Sequence, residues 1–255
     1  MRRLLLVCML LFGSAQAYAT TLKPLQAVDL VDQSELIFTG KAIDRQVATT
    51  KDGKHPYTFI TFEVERVLKG SVEGPTLTLR FEGGEIGDEY LLVEGMPEFE
   101  RGGHYLLFVA DNGRAISPIV GWTQGKLEFL EHPSQPGASV LVDRRGMAIE
   151  GVGNGKFMRS EVRRDGQSVV RSKRSSGIQV LEEDNVVITD PLAENQAFEK
   201  GRELTPASVV LNSLSRMVEQ RAGNKSFRAG ATVQSLGIDD VPETFKLRPV
   251  AAAEQ

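Results

Sequence analysis

Acidic side chains crowd one short stretch of the chain, where a metal ion or a basic partner would find several carboxylates close together. Residues 82–100 contain seven acids and no base. Carboxylate oxygens are the ligands that Ca²⁺ prefers, and they also attract a basic protein surface. The acids lack the alternating spacing and closing glutamate of a calcium loop, so calcium, a basic partner and a plain solvated surface all remain open. The candidate binding acids are Glu82, Glu85, Asp88, Glu89 and Glu98.

Trp122, the only tryptophan of the chain, is the sixth candidate binding residue. It lies between Gly121 and Gly125. An exposed tryptophan is a frequent anchor of protein interfaces, because it offers a large apolar face and a hydrogen-bond donor. A tryptophan in the core or at the rim of a barrel is the alternative, and the sequence leaves both open.

The remaining residue types form no recognisable catalytic or metal-binding motif. The glycine-rich loop at residues 82–88 carries acids and leads into a strand, so we interpret it as a turn and not as a phosphate-binding loop. His55, His104 and His132 lie in separate segments without metal-ligand spacing. No Gly-x-Ser-x-Gly or Ser-x-x-Lys motif occurs. We therefore predict no catalytic residue, no metal and no cofactor, and a protein that is not an enzyme.

The N-terminal residues have the order of segments that directs export. Arg2 and Arg3 precede an uninterrupted apolar run at residues 4–12, and two Ala-x-Ala sites follow within residues 15–19. This order predicts a secretory signal peptide over residues 1–19, and its apolar run is much shorter than the ~20 residues that span a bilayer. We expect a periplasmic or secreted protein with no transmembrane anchor after signal cleavage.

Cleavage of the signal peptide would also change the chemistry of the chain. Cys8 is the only cysteine, so its loss excludes disulfides, zinc–thiolate sites and cysteine nucleophiles. Loss of Arg2 and Arg3 changes the net charge from −4 to −6. A chain this acidic does not neutralise phosphates, so no nucleic acid partner is expected.

Short apolar runs separated by glycine-rich turns fill the first part of the mature chain. Residues 57–68 alternate, with Ile60, Phe62 and Val64 on one face, and residues 104–110 are apolar almost throughout, as in a strand buried on both faces. Similar runs at residues 35–47, 76–81, 116–130 and 139–143 bring the prediction to at least six strands. We predict a mostly β fold, an OB-like or related closed antiparallel barrel over residues 20–150, with a short helix at residues 25–32.

The composition changes near residue 155. Residues 151–204 are polar and predict a partly disordered linker, with one short strand at residues 185–188. Thr205 and Pro206 are typical of a helix start, so residues 205–255 are predicted to form a C-terminal helical segment and tail. Residues 156–174 carry seven bases and two acids, which would allow the linker to fold back on the acidic stretch.

Four segments in the same order resemble a known group of proteins. They are SELIFTGK at residues 34–41, FEVERVLKG at 62–70, GGHYLLF at 102–108 and GWTQGK at 121–126. The pattern resembles a group of exported bacterial proteins of unknown function and, more distantly, the netrin-like modules and tissue inhibitors of metalloproteinases. The resemblance covers residues 25–130 and implies an OB-type barrel that binds another protein. Those inhibitors reach the protease zinc through an N-terminal cysteine tied by disulfides, and after cleavage of the predicted signal peptide the mature chain would have no cysteine for that mechanism.

The predicted function is a secreted or periplasmic non-catalytic binding module of unknown ligand. It would contact another envelope or secreted protein through the acidic stretch. Two alternatives belong to other classes. One is a hydrolase of envelope polymers that uses paired carboxylates between Glu82 and Glu100, and the other is a structural envelope component that docks through the helix containing Val209 and Met217.

Overall fold

The computed structural model describes residues 23–49, 55–86, 89–163, 203–236 and 248–249. The predicted signal peptide and the predicted strand at residues 185–188 lie outside these ranges. The helices are α1 (Ala27–Gln33) and α2 (Ala207–Arg221), with a 3₁₀ helix at Trp122–Gly125. The strands are β1 (Leu36–Thr49), β2 (Pro56–Lys69), β3 (Ser71–Val72), β4 (Thr76–Glu82), β5 (Gly84–Ile86), β6 (Glu89–Leu91), β7 (His104–Val109), β8 (Lys126–Glu131), β9 (Ser139–Val142), β10 (Met147–Gly153), β11 (Lys156–Arg163), β12 (Thr232–Val233) and β13 (Arg248–Pro249).

One large antiparallel sheet organises the described residues. Its strands lie in the order β11-β10-β9-β8-β7-β1-β2-β4, and β13 pairs with the end of β1. β4 and β11 lie at opposite ends of this order and do not pair with each other. The sheet is therefore open, and the prediction of a closed barrel is wrong, although the mostly β content is confirmed.

Loop and side-chain atoms, instead of a closing strand, occupy the outer edge of β4. The Thr78 N–H donates to Ser235 Oγ (2.8 Å), and the Arg80 N–H donates to Asn112 Oδ1 (3.1 Å). An edge strand needs such partners because its outward N–H and C=O groups have no ladder to join. Ser235 and Thr78 are 157 residues apart in sequence, so the strand pattern carries no signal for this arrangement.

The two longest strands, β1 and β2, pair with each other and bend the sheet. Their register shifts at three places, one of them between Thr39 and Gly40. A side-chain carbon at Gly40 would lie 2.4 Å from the Glu63 carbonyl oxygen, so only glycine permits this approach. Bulges of this kind bend a strand and increase its twist.

Two apolar cores lie on opposite faces of the central strands. The first core lies between the sheet and the two helices, and it contains Leu106 and Phe108 of β7. The second lies on the other face and contains Tyr105, Leu107 and Val109 of β7. Because both sets are almost fully buried, the prediction that this strand is buried on both faces is confirmed.

The sheet continues past residue 150, where we predicted the linker to begin. β10 and β11 form a hairpin through Asn154 and Gly155, whose φ angles are 49° and 74°. Asn-Gly with positive φ at both residues is the preferred two-residue hairpin turn. The predicted boundary therefore falls inside β10, and residues 164–202 of the predicted linker lie outside the described ranges.

Both predicted helices are present, and each covers part of the sheet. α1 starts at Ala27, two residues later than predicted, and α2 follows Pro206, which is its N-cap and not its first helical residue. Val210 and Leu214 of α2 are fully buried in the core that α2 shares with α1. Neither helix combines the length and the apolar character needed to cross a bilayer.

Candidate functional site

A small hairpin formed by β5 and β6 leaves the main sheet after β4 and packs back on β1 and β2. Gly83 and Gly84 make this possible, because their φ angles are 96° and 153°. A side-chain carbon at Gly84 would lie 2.7 Å from Val47 Cγ1, and one at Gly83 would lie 2.7 Å from the Leu91 carbonyl oxygen. The turn predicted at these glycines thus allows the hairpin to pack closely on the sheet.

Phe99 anchors the loop that follows β6. The centroid of its ring lies 5.2 Å from those of Phe62 and Tyr105 and 5.5 Å from that of Phe81. The Glu100 N–H donates to the Tyr105 hydroxyl (2.9 Å), and burial raises the pKa of Tyr105 to about 12. These contacts hold residues 92–100 as a wall beside the hairpin.

The hairpin and the loop enclose a groove of about 710 Å³. This volume lies within the ~300–1,000 Å³ that ligand pockets usually have. The apolar side chains of the lining are those of Phe81, Leu91, Leu92, Val93, Met96, Pro97 and Phe99. Leu92 is 80% exposed and Leu91 is 39% exposed, so the rim of the groove offers apolar surface to a partner.

Carboxylates border this apolar surface. Glu82, Glu85, Glu94 and Glu98 line the groove, against a single base, Arg45. None of the four glutamates forms an ion pair with another residue in the described ranges. A basic group that entered the groove would meet an acidic and partly apolar surface.

A calcium site finds no support in this part of the molecule. In the ranges that the structure describes, no group of three or more His, Cys, Asp or Glu residues is arranged to hold a metal ion. A basic side chain is a partner that these carboxylates would attract electrostatically.

The structure brings together three of the six predicted binding residues. Glu82, Glu85 and Glu98 all line the groove. Glu89 lies in β6, but its side chain is not among those described, and Asp88 lies outside the described residues.

Sequence reasoning missed the apolar half of the groove, above all Leu92, Met96 and Phe99. A signal for it was present, because residues 90–93 read YLLV in the middle of the acidic stretch. An apolar run between acids cannot be solvated as easily as the acids alone. Arg45, which comes from β1, had no local signal.

Trp122 lies next to the groove but lines a different cavity. A side-chain carbon at Gly95, a residue of the groove, would lie 4.0 Å from Trp122 Cε3. The tryptophan is half-buried and faces a separate cavity of about 430 Å³. Its φ of 60° is rare for a bulky residue. Trp122 is thus neither a fully buried core residue nor part of the acidic groove.

Two of the histidines have structural surroundings away from the groove. His104 stacks on Phe129 with ring centroids 3.9 Å apart, and its Nε2 lies 2.7 Å from Glu65 Oε2. Burial lowers the pKa of His104, and Glu65 opposes this only in part. His132 is buried, with its Nε2 2.9 Å from the Leu204 carbonyl oxygen, and so ties the segment before α2 to the sheet.

A cluster of ion pairs fastens the segment after α2 to the rest of the fold. Arg221 Nε donates to Asp32 Oδ1 (2.9 Å), and Arg228 Nη1 donates to Asp111 Oδ2 (3.0 Å). Burial raises the pKa of Asp32, but the hydrogen bonds from Arg221 and Ser226 outweigh it, so the net shift is downwards. Hydrogen bonds lower the pKa of Asp111 to about 2, and the one from Arg228 has the largest effect. We call Asp32, Asp111, Arg221 and Arg228 the C-terminal clasp.

Comparisons of the chain with protein-family models, with curated proteins and with solved structures give no match. The resemblance to exported bacterial proteins and to netrin-like modules therefore stays a prediction.

Proposed function

We propose that the chain is a non-catalytic binding module of the periplasm or the secreted fraction, whose groove binds a segment of another envelope or secreted protein. The segment would carry a basic side chain next to an apolar one. The observation that supports this proposal is the exposed Leu92 beside glutamates without ion-pair partners among the described residues. The export motif at residues 1–19 supports the location.

The apolar and acidic parts of the groove would contribute differently. An apolar side chain that packs against Leu92, Met96 and Phe99 would gain about 1.5–3 kcal/mol from burial. Each exposed pair between a partner base and a glutamate such as Glu85 would add only about 0–1 kcal/mol. Affinity would therefore come mainly from the apolar contact, while the carboxylates would select basic partners and accelerate association.

The test is capture from the envelope and secreted fractions of the protein's own source, followed by cross-linking and identification. The wild-type protein is compared with Leu92→Asp, with the double variant Glu85→Lys/Glu98→Lys, and with Glu73→Lys. Glu73 is an exposed acid in the turn before β4, away from the groove, and serves as the matched charge control.

We expect one dominant protein that the wild type and the Glu73 variant retain equally and that both groove variants lose. Cross-links should map to residues 82–98. Retention of the same proteins by all four forms, or of none by the wild type, would contradict the proposal.

Experiments distinguish this proposal from the two alternatives, a hydrolase of envelope polymers and a structural envelope component. Hydrolysis of an envelope polymer would appear as activity on a polysaccharide panel that Glu85→Gln and Glu98→Gln abolish. A structural component that docks through α2 would need an apolar face on that helix. Val210 and Leu214 are already buried against the sheet, whereas Val209 is 49% exposed.

A further inference from the structure

The cavity that Trp122 lines is independent of the acidic groove. It has a volume of about 430 Å³ and lies between the end of α1, the loop that follows β7 and the segment after α2. Polar and aromatic side chains shape it, in particular Asp32, Gln33, Asp111, Ser117, Trp122 and Arg228. A cavity of this size accommodates a ligand of one or two rings.

The charged groups of the wall already have partners within the protein. Asp32 accepts hydrogen bonds from Arg221 and from Ser226 Oγ (2.9 Å), and Asp111 accepts two from Arg228 at 3.0 and 3.1 Å. A charged ligand would have to replace one of these charge-assisted contacts, which are the stronger class of hydrogen bond. The wall therefore favours a neutral ligand.

The uncharged groups of the wall are the ones left available. Within the described residues, no hydrogen bond joins the Gln33 amide or Trp122 Nε1 to another residue, and both residues line the cavity. The Gln33 amide offers both a donor and an acceptor, and the indole offers a donor beside a broad apolar face. A suitable ligand therefore combines several hydroxyl groups with one flat apolar face.

The backbone holds Trp122 in place. Its N–H donates to the Ile119 carbonyl (3.0 Å), and Gln124, two residues later, accepts a hydrogen bond from the Leu25 N–H (2.8 Å). Trp122 and Asp111, both in this wall, are two of the three described non-glycine residues with positive φ. Unusual backbone conformations of this kind occur often where a side chain is fixed for a ligand.

We propose that this cavity binds a neutral sugar ring stacked on Trp122. The C–H face of a pyranose lies on the indole, and the ring hydroxyls exchange hydrogen bonds with Gln33, Ser117 and Trp122 Nε1. The site would be a saccharide-binding site separate from the protein-binding groove. It does not depend on the groove proposal, because the two linings share no residue.

Trp122 is itself the probe for the test, since the chain has no other tryptophan. The full chain is titrated with glucose, galactose, mannose, N-acetylglucosamine, cellobiose and chitobiose while tryptophan emission is recorded. Glucuronic acid and glucosamine are the charged comparison ligands. Calorimetry then measures Kd for the variants, including those that lack the fluorophore.

We expect a saturable emission change with at least one neutral sugar and weaker binding of both charged sugars. Trp122→Ala and Gln33→Ala should raise Kd about tenfold, which corresponds to loss of an aromatic contact or of a hydrogen bond. Trp122→Phe, which keeps an aromatic face, should retain most of the affinity. Gln234→Ala, the exposed glutamine control, and Glu85→Gln in the groove should leave Kd unchanged.

Three results would overturn the proposal. They are no saturable response to any neutral sugar of the panel, binding of a charged sugar as tight as that of the neutral ones, and an unchanged Kd in Gln33→Ala. The Gln33 substitution lies on an exposed side chain and so tests the site even if Trp122→Ala does not fold. Loss of sugar binding with intact protein capture, or the reverse, distinguishes failure of this site from failure of the groove.

Discussion

Lys69 is a buried cation whose protonation should control stability in alkaline solution. The residue is only 5% exposed, its Nζ donates to the Val31 carbonyl (2.7 Å), and it lies 3.6 Å from the centre of the Phe227 ring. Burial is the main reason that its pKa falls from 10.5 to about 8, and Asp32 opposes the fall. The lysine thus loses its proton more readily in the folded protein than in the unfolded chain.

The sign of the pH effect follows from proton linkage. Between pH 8 and 10.5 the unfolded chain keeps the Lys69 proton while the folded protein has released it, so stability rises with pH in this interval. A fall of the Lys69 pKa from 10.5 to about 8 corresponds to a difference of about 3 kcal/mol in the free energy of unfolding. Between pH 7 and pH 10 the contribution of Lys69 to the free energy of unfolding should therefore increase by about 2–3 kcal/mol.

The assay is urea unfolding of the wild type and of Lys69→Met at several pH values from 7 to 10. The methionine has a similar length but no proton to lose, so its free energy of unfolding should lack the alkaline increase. Lys69→Arg, which stays charged throughout, is a second control. Other alkaline titrations, such as that of Tyr105, occur in all three proteins and cancel in the differences. Parallel pH profiles for the wild type and Lys69→Met would refute the assignment of a lowered pKa to this lysine.

Three further substitutions test the C-terminal clasp, the core and the hairpin. Asp111→Asn should lower the free energy of unfolding by about 1 kcal/mol at neutral pH, because solvent screening of a 37% exposed side chain reduces the effect of the pKa shift. This difference between variant and wild type should disappear as an acid titration approaches pH 2, where Asp111 of the wild type becomes protonated. In chemical denaturation, Leu214→Ala should lower the free energy of unfolding by about 2–5 kcal/mol, whereas Val209→Ala on the exposed face of α2 should lower it by less than about 1 kcal/mol. Equal losses in the two variants would contradict the packing of this helix. Gly84→Ala should destabilise the fold and loosen β5, because the alanine side chain would meet Val47 and the φ angle at this position is positive. Unchanged amide exchange in residues 84–86 would count against this packing.

Local patterns in the sequence predicted most strands and both helices correctly. The alternation at residues 57–68 and the apolar run at residues 104–110 correspond to β2 and β7. The predicted strand at residues 116–130 is wrong in its first part, where Trp122–Gly125 is a 3₁₀ helix and only Lys126–Glu131 is a strand. Glycines at 121 and 125 explain the difference, because Gly121 adopts φ 64° and Gly125 approaches the Val120 carbonyl, which an ordinary strand does not permit.

The hairpin of β10 and β11 had a sequence signal that composition concealed. Asn154-Gly155 is the preferred hairpin dipeptide, but the polar residues that follow it led to the prediction of a linker from residue 151. β11, which contains residues 156–163, lies at the end of the strand order opposite β4, the strand that leads into the acidic stretch. The second part of the basic segment, residues 164–174, lies outside the described ranges, and its predicted contact with the acids stays a prediction.

The sequence by itself determined the strands, the helices, the excess of acids at residues 82–100 and the tryptophan between glycines. These features depend on neighbours in the chain, which is why local periodicity and composition reveal them. Only the tertiary structure decided that the sheet stays open, that Leu92 and Glu85 border one groove, and that Trp122 faces a separate cavity with Gln33. Each of these outcomes depends on contacts between residues far apart in sequence, such as Ser235 at the edge of β4 and Arg221 at Asp32, and such pairings leave no periodic trace in the chain.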